Sequence, residues 1–384
     1  MRGIYIHVPF CVRKCSYCDF YSEEASLASG GEFPDLLMRE LDLFRERFPE
    51  DAAAPADTVY FGGGTPTVLP PENLCSLLAA VRARFPVSGG AEVTVEANPG
   101  TVDAEGLATL RQGGFTRISI GVQSFSPVVL RTLGRIHGEA DVHRTYGLAR
   151  SAGFPSVGID LIFGIPGQRA EEWKADLDRM TTLLPDHVSA YALAPEPGTP
   201  LHAAIGRGEL RMPPDEEVAE MYESTRIVLS GAGLHQYEIS NFARPGHESR
   251  HNTKYWIREG YAGFGPSAHG LLFPSGRAPY GIRTSAPPSL DEYRSNILAG
   301  RLPAVEEKAC TREDAWKESL LFGLRMTDGV DLEEIETRIG APPDSLRVAL
   351  DELALTGRLL REGARIRLPA SFLFISNEVL AHLA

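Results

Sequence analysis

The sequence predicts an α/β protein with a partial (β/α)6 barrel followed by a C-terminal winged-helix-like α+β domain. Short segments of alternating or β-branched residues recur about every thirty residues, with helix-like segments between them. This alternation is typical of a parallel sheet with right-handed crossovers. The pattern continues for about six units, fewer than the eight of a closed barrel, and its character changes near the C-terminus.

The barrel elements follow in chain order. The predicted parallel strands are residues 3–8, 58–61, 92–97, 117–122, 156–162 and 187–192. Apolar spacing predicts helices over residues 32–47, 71–85, 103–113, 127–152, 170–184 and 215–230, with Asp103 as an N-cap. We expect residues 22–31, which are small and polar, to form a flexible connector.

After a short strand predicted at residues 235–239, the alternation is expected to stop near Gly246. The glycine-rich residues 260–270 predict a loop, residues 270–284 a weak hairpin and residues 289–299 a helix. Helices at residues 314–326, 332–339 and 344–356 then precede a two-stranded wing that starts near Gly357. The predicted domains are residues 1–240, 241–307 and 308–384.

Composition limits the function classes. The 384 residues carry a net charge of −13 and no block of lysine or arginine, which argues against a nucleic-acid partner but not against a small ligand. Three cysteines lie together while Cys75 and Cys310 are isolated, which fits a reducing cytosol rather than a disulfide framework. The first strand leaves no room for a signal peptide, and no apolar run is long enough to span a membrane. We therefore expect a soluble cytoplasmic protein, with attachment to a membrane surface left open.

Cys11, Cys15 and Cys18 directly follow the first predicted strand, in a short loop. Thiolates are soft ligands that favour zinc or an iron–sulfur cluster. A four-iron cluster normally takes four thiolates, so three would leave one iron with an open site for a chelating cofactor. A catalytic zinc with one open position, or a redox pair with a spare thiol, is the alternative.

Other polar or glycine residues follow the remaining strands. The carboxyl ends of parallel strands meet at one rim, where ligands bind, so these residues are expected to face the cysteine loop. Gly62 to Pro66 matches neither nucleotide-binding glycine pattern. Taken singly, a polar residue at a strand end more often holds a loop.

The cysteine spacing, with Tyr17 before the last cysteine, is similar to the signature of radical S-adenosylmethionine (SAM) proteins. The longer string from Tyr5 to Phe20 resembles the branch that contains oxygen-independent coproporphyrinogen III oxidase and the HemW heme chaperones. The resemblance implies a radical SAM barrel with a [4Fe–4S] cluster on Cys11, Cys15 and Cys18. It also implies that one set of residues contacts the SAM bound to the cluster: Tyr5, Tyr17, Gly63, Gly64, Thr65 and Glu96. A second set is implied to line a second SAM site: Gln123, Arg135, Asp160 and Ala194.

Residues 251–256, His-Asn-Thr-Lys-Tyr-Trp, are similar to the His-Asn-x-x-Tyr-Trp motif of the HemW branch. The resemblance implies that heme binds His251, Asn252, Tyr255 and Trp256. These side chains offer a ligand atom for iron and flat faces for a macrocycle, although a lone histidine is usually just hydrogen-bonded. Residues 263–269 resemble a further segment of the same branch.

Two departures from the oxidase pattern favour the chaperone. Phe20 stands where the oxidase has a further cysteine, and the chain starts without the extension that helps to enclose the oxidase's substrate. The expected protein therefore binds a cluster, SAM and heme, and passes heme to an acceptor protein. The retained second-site positions keep the oxidase as the alternative, and a zinc-dependent or structural binding module is a third class. A homodimer is common among the proteins that this chain resembles.

Overall fold

A twelve-stranded mixed sheet organises the protein in this computed structural model, which describes residues 2–25, 27–274, 278–303 and 306–384. Its strands and those of two smaller sheets are β1 (Arg2–Val8), β2 (Phe10–Cys11), β3 (Glu23–Glu24), β4 (Ala56–Gly63), β5 (Val87–Ala97), β6 (Arg117–Gln123), β7 (Ser156–Phe163), β8 (His187–Ala192), β9 (His235–Gln236), β10 (Asn241–Ala243), β11 (Tyr261–Phe264), β12 (His269–Leu272), β13 (Ile282–Ser285), β14 (Glu306–Ala309), β15 (Val330–Asp331), β16 (Leu360–Glu362) and β17 (Arg365–Arg367).

The helices are α1 (Leu27–Arg47), α2 (Pro49–Ala53), α3 (Pro71–Arg84), α4 (Ala104–Gly113), α5 (Pro127–Leu133), α6 (Glu139–Ser151), α7 (Ala170–Thr182), α8 (Pro200–Gly206), α9 (Asp215–Gly231), α10 (Arg250–Trp256), α11 (Leu290–Leu298), α12 (Arg312–Gly323), α13 (Leu332–Ile339), α14 (Asp344–Leu355) and α15 (Ser376–Leu380). Asp103 caps α4 as predicted, because its side chain accepts a hydrogen bond of 2.9 Å from the Gly106 amide.

The six predicted parallel strands are confirmed as one continuous stretch of the sheet, in the order β1-β4-β5-β6-β7-β8. Every residue of β6 is buried, as expected for a central parallel strand covered on both faces. The sheet does not close. It continues through the antiparallel β10 and β9 beyond β8, and through β11 to β14 beyond β1. The partial-barrel prediction is therefore correct.

Two local predictions before the last strands were wrong. The segment 127–152 is not one helix, because Gly134 takes a left-handed φ of 73° and ends α5 before α6 begins. The expected connector at residues 22–31 instead contains β3 and the start of α1. Small polar residues there suggested flexibility, but packing of α1 against the sheet overrides that local preference.

The loop expected at residues 260–270 was also wrong. Its first part is β11, which pairs in parallel with β1, and its last residues enter β12. The glycines that suggested a loop are required by close backbone packing instead. A Cβ atom on Gly263 would lie 2.0 Å from the His269 carbonyl oxygen, and one on Gly265 would lie 2.4 Å from that of His7. The hairpin beyond it is confirmed as β12 and β13.

The C-terminal part has the predicted winged-helix arrangement. Helices α12, α13 and α14 precede the antiparallel wing of β16 and β17, and β15 adds a third strand to it. Its buried residues, such as Trp316 and Leu353, belong to the same apolar cluster as Ile4 of the barrel. The main sheet runs without a break across residues 240 and 241, so the first predicted domain division stays a prediction. Among the described residues, no helix is both long enough and apolar enough to cross a membrane.

Candidate functional site

A cavity of about 400 Å³ opens at the carboxyl ends of the parallel strands. Its wall combines the cysteine loop after β1 with side chains from β4 to β8, so the chain brings distant segments to one rim, as the strand order requires. A volume of this size is within the usual range for small-molecule sites. Cys11, Cys15 and Cys18 all line it.

The cysteine loop is fixed to the barrel by one residue between its thiols. The backbone amide of Ser16 donates to the Leu133 carbonyl oxygen at 3.0 Å, and its hydroxyl donates to that of Thr132 at 2.9 Å. The Ser16 carbonyl oxygen accepts from the Leu201 amide at 2.9 Å. These bonds tie the loop to α5 and α8, so the three sulfurs are held by the barrel rather than by the loop alone.

Two sulfurs have donors placed against them. The Thr65 hydroxyl lies 3.6 Å from Cys11 Sγ, and Arg135 Nη1 lies 3.4 Å from Cys15 Sγ. Burial raises the pKa of the Cys18 thiol to about 11, so a bound metal would have to displace its proton. In the described ranges, no three His, Cys, Asp or Glu side chains are grouped so as to hold a single metal ion.

The glycines after β4 are needed by the chain itself. Gly63 has a φ of 105°, and a Cβ atom there would lie 2.6 Å from the ring of His7. A Cβ atom on Gly64 would lie 2.6 Å from the Phe10 carbonyl oxygen. The segment therefore packs directly on the strand that leads into the cysteine loop, while Gly63 and Gly64 also line the cavity.

Glu96, near the end of β5, contacts this glycine segment through a hydrogen bond. It accepts hydrogen bonds from the Tyr60 hydroxyl at 2.6 Å and from the Gly63 amide at 3.3 Å. Burial, opposed by the Tyr60 hydrogen bond and reinforced by the charge of Asp160, raises the pKa of Glu96 to about 7. An incoming cationic group would stabilise the ionised form of this carboxylate.

Arg135 joins the cysteine loop to the next strands. Its Nη2 donates to the Gly121 carbonyl oxygen at 2.5 Å and to the Asn98 side-chain oxygen. The Asn98 amide in turn donates to the Thr65 hydroxyl at 2.7 Å. The guanidinium is therefore held by two strand ends while one face points at Cys15.

Asp160 lies deeper, on β7, and its carboxylate accepts from the hydroxyls of Ser119 at 3.0 Å and Ser189 at 2.7 Å. Burial raises the pKa of Asp160, and these two hydrogen bonds oppose that shift. Gln123 adopts a left-handed φ of 65° at an irregularity in the β6–β7 register, which redirects the chain at the cavity wall.

The structure brings together nine of the ten predicted SAM residues, which all line the cavity: Tyr17, Gly63, Gly64, Thr65, Glu96, Gln123, Arg135, Asp160 and Ala194. Tyr5 does not line it, and its hydroxyl pairs with His7 Nδ1 at 3.2 Å. Sequence reasoning missed Tyr60, Asn98, Ser119 and Ser189. The period of two along each strand could have found Tyr60 and Ser119, because they lie two residues from Gly62 and Gly121 on the same strand face.

The predicted heme residues lie at the opposite end of the barrel, which we call the barrel floor and define by the strand starts at Gly3 and Thr58. His251 is 1% exposed, and its Nδ1 and Nε2 lie 2.8 Å from the hydroxyls of Thr58 and Tyr255. Burial lowers its pKa to about 3, so the ring is neutral. Both ring nitrogens thus have partners within the chain, and iron ligation by His251 stays a prediction.

The other residues of this motif divide between two environments. Asn252 lines the cavity from below. The Tyr255 ring packs edge-on against Tyr261 with centroids 4.6 Å apart. The Trp256 ring lies under the Arg325 guanidinium at 5.8 Å, away from the cavity. One flat ligand cannot touch all four side chains in this conformation.

Comparisons with known proteins agree with this architecture. A family model described as the radical SAM superfamily matches residues 5–180, and one described as the HemN C-terminal domain matches residues 310–371. The heme chaperone HemW of Bacillus subtilis is 35% identical over 381 residues, which cover 99% of this chain and 98% of the relative. The proteins of that name from Mycobacterium tuberculosis and Escherichia coli are 38% and 36% identical, and each alignment covers 93% of this chain and 91% of the relative.

Among solved structures, the radical SAM enzyme coproporphyrinogen III oxidase (HemN) from Escherichia coli is similar with a TM-score of 0.84. The likeness covers 100% of this chain and 90% of the oxidase at 23% identity. At that identity the comparison supports the fold and leaves the activity open.

Proposed function

Because this chain belongs to the HemW family of radical SAM proteins, we propose that it is a heme chaperone. In this proposal it holds a [4Fe–4S] cluster and SAM, binds heme and passes heme to an acceptor protein. The observation that carries the proposal is the match to relatives named heme chaperone HemW over nearly the whole chain. The cavity chemistry supports the two resident cofactors.

The residues around the cavity fit a three-cysteine cluster. Three thiols line one wall, and Thr65 and Arg135 place donors against two of the sulfurs. Such donors stabilise thiolate ligands and tune the potential of a cluster. When bound, the cluster can supply an electron to the sulfonium of SAM and so generate a 5′-deoxyadenosyl radical.

The chain's own residues would position SAM. The Glu96 carboxylate, held by Tyr60 and the Gly63 amide, offers an acceptor for a protonated amine. Tyr17 and Thr65 bound the same side of the cavity, and Arg135 supplies a fixed positive charge. Glu96 is held by its strand and Thr65 and Arg135 by their hydrogen bonds, so these groups are in place before any ligand arrives.

Heme binding by His251 would require a rearrangement of the barrel floor. The hydrogen bond of 2.8 Å at the nitrogen that ligates iron would have to break, and the ring would have to become accessible. We propose that heme association includes this opening. A spectrum of the heme complex should then change when His251 is replaced by alanine, while the cluster content stays the same.

The oxidase remains the second candidate for one reason. Gln123, Arg135, Asp160 and Ala194, which the resemblance assigns to a second SAM site, all line the present cavity. Phe20, two residues after Cys18, argues against the oxidase. It stands where the oxidase has a further cysteine, and its side chain is 64% exposed.

The test uses anaerobically purified, cluster-reconstituted protein. It should bind heme in an absorbance titration, transfer that heme to an apo acceptor, and leave coproporphyrinogen III unconverted. Robust conversion of coproporphyrinogen III to protoporphyrinogen IX would refute the chaperone proposal in favour of the oxidase. SAM cleavage, assayed with and without heme, then shows whether SAM is consumed or only bound.

We further propose that the protein acts in the cytoplasm as a homodimer that can associate with a membrane surface. Light scattering after size-exclusion chromatography tests the dimer. Flotation with anionic vesicles, with and without bound heme, tests the membrane association. A monomer that never floats would refute both parts.

A further inference from the structure

A buried cation that has no ion-pair partner among the described residues lies at the bottom of the cavity. Arg117, the first residue of β6, lines the cavity and is 3% exposed. Its Nη1 donates to the His247 carbonyl oxygen at 2.8 Å and to the Ser156 hydroxyl at 3.2 Å, and both partners are neutral. No carboxylate in the described part of the chain comes within ion-pair distance of this guanidinium.

Buried arginines are almost always paired with an anion, because an isolated charge is costly to remove from water. The nearest candidate within the chain is Asp160, whose charge interacts with Arg117 over a longer range. That carboxylate is already bonded to Ser119 and Ser189. Among the described residues, the guanidinium therefore has no carboxylate as a direct counterion.

Two more polar atoms at the same level have no partner among the described residues. His187 is 2% exposed with an unpaired Nδ1, and Thr94 is fully buried with an unpaired hydroxyl. Both residues line the cavity. Buried polar groups are normally hydrogen-bonded, so unpaired ones at a cavity wall indicate a missing ligand atom.

The hydrogen bonds around His187 define which atoms it can offer. The Tyr237 hydroxyl accepts from the Ser249 amide at 3.3 Å and lies 2.8 Å from His187 Nε2. In the tautomer in which the Tyr237 hydroxyl donates to Nε2, Nδ1 carries the ring proton and can act as a donor. In that tautomer, Arg117, His187 and Thr94 all offer donors at the cavity wall, and such a group of donors suits an anion.

The space between these donors is kept open by a glycine. A Cβ atom on Gly158 would lie 3.5 Å from His187 Nδ1 and 3.4 Å from the Ser119 hydroxyl. Asn252, from the predicted heme motif, borders the same space. Any larger side chain at residue 158 would occupy the room that a ligand needs beside the imidazole.

We propose that Arg117, His187 and Thr94 form a carboxylate-binding site, the floor site, for an acid group of a ligand that enters the cavity. A planar guanidinium matches the two oxygens of a carboxylate, and one such cation balances one negative charge. The neutral imidazole and the hydroxyl complete the hydrogen bonds of those oxygens.

Two ligand classes carry a suitable carboxylate. One is a tetrapyrrole with propionate side chains, and this source rests on the proposed function. The other is an amino-acid moiety such as that of SAM, which does not depend on heme. The test separates them by pairing each ligand with a relative that lacks the free acid: heme with its dimethyl ester, and SAM with decarboxylated SAM.

The decisive variant is Arg117→Met in the cluster-reconstituted full chain, with Arg117→Lys as the matched control that keeps the charge. Loss of a buried charged hydrogen bond should weaken the acid ligand at least about tenfold and leave the ester or decarboxylated relative unchanged. The lysine variant should recover part of the loss. A loss confined to heme identifies the propionate, and a loss confined to SAM identifies the amino-acid carboxylate.

Unchanged affinity for both acids in a folded Arg117→Met protein would overturn the floor site. If that variant does not fold, Gly158→Ala serves instead, because its methyl group adds only ordinary contacts near His187. Gly158→Ala should weaken the acid ligand several-fold. If wild type and Gly158→Ala each bound the acid and its ester equally well, the proposal would be overturned. Wild-type protein that binds no heme would refute the chaperone function, and the SAM arm would then decide the floor site alone.

Discussion

Replacing Glu40 with glutamine should stabilise the protein at neutral and alkaline pH. Glu40 lies on α1 and is 3% exposed. One of its oxygens accepts from the Gly265 amide and from the Tyr293 hydroxyl, each at 2.8 Å. Glu40 thus joins α1 to the turn after β11 and to α11. Burial raises the pKa of Glu40 to about 7, because two neutral donors do not replace the water lost.

The sign and size of the effect follow from this shift. In the unfolded chain the carboxyl ionises near its ordinary pKa of 4.5, and in the folded protein near 7. The cost of ionising it is therefore absent below pH 4.5, grows between pH 4.5 and 7, and is constant above. A shift of this size corresponds to about 3 kcal/mol of folding free energy at high pH, of which about 2 kcal/mol develops between pH 5.5 and 8. Glutamine keeps an acceptor oxygen for both donors and cannot ionise.

The assay is urea unfolding of wild type and Glu40→Gln across pH 5.5 to 8, with Glu105→Gln as an exposed control. The unfolding free energy of Glu40→Gln relative to wild type should rise by about 2 kcal/mol over that range. The Glu105→Gln difference should stay within about 0.5 kcal/mol at every pH. A Glu40→Gln difference that does not vary with pH would refute the reasoning, because it would show that Glu40 is not ionised differently in the two states.

Three further outcomes are expected. Cys11→Ala should lose iron and visible absorption after anaerobic reconstitution, whereas Cys75→Ala should keep both, and equal iron in the two would contradict the cluster assignment. Gly63→Ala should lower the unfolding free energy by at least about 1–2 kcal/mol, because the φ of Gly63 is left-handed and a Cβ atom there would clash with the His7 ring. The control Gly89→Ala, where a Cβ atom has open space around it, should change the unfolding free energy little. Glu96→Gln should weaken SAM binding about tenfold in equilibrium dialysis. It should not lower the melting temperature, because the raised pKa of Glu96 means that its ionised form does not stabilise the fold. Unchanged SAM affinity would remove Glu96 from the SAM site.

The parallel strands were predictable because each is a buried apolar segment with turn residues at its ends. The failures occurred where tertiary contacts decide the conformation. Gly134 is a possible helix end, but a single glycine within a helical pattern is also tolerated, so the local sequence leaves both outcomes open. Three glycines lie in or beside β11, and a local analysis assigns them to a loop. Only its pairing with β1 and the close approach of His269 show why glycine is required there.

The rim of the site was predictable for a related reason. Strand ends meet at one edge whatever the details of packing, so Glu96 and Asp160 could be placed together from their positions alone. The floor could not be predicted this way. Arg117 and His187 begin their strands, where a charged or polar residue usually meets solvent. Both are buried here, and their hydrogen-bond partners, the His247 carbonyl oxygen and the Tyr237 hydroxyl, come from the segment before α10. Likewise, the sequence alone could not show that both ring nitrogens of His251 are paired.

The position of β1 between β4 and β11 has a consequence for synthesis. The strand that carries the cysteine loop is made before the other strands of its sheet, yet one of its two neighbours, Tyr261–Phe264, is made more than 250 residues later. At about 5–20 residues per second, that interval lasts on the order of ten seconds or more. During this interval, one edge of β1 is unpaired, and the three cysteines follow a strand whose part of the sheet is incomplete. Delivery of iron and sulfide is therefore best timed after β11 has been made and has paired with β1.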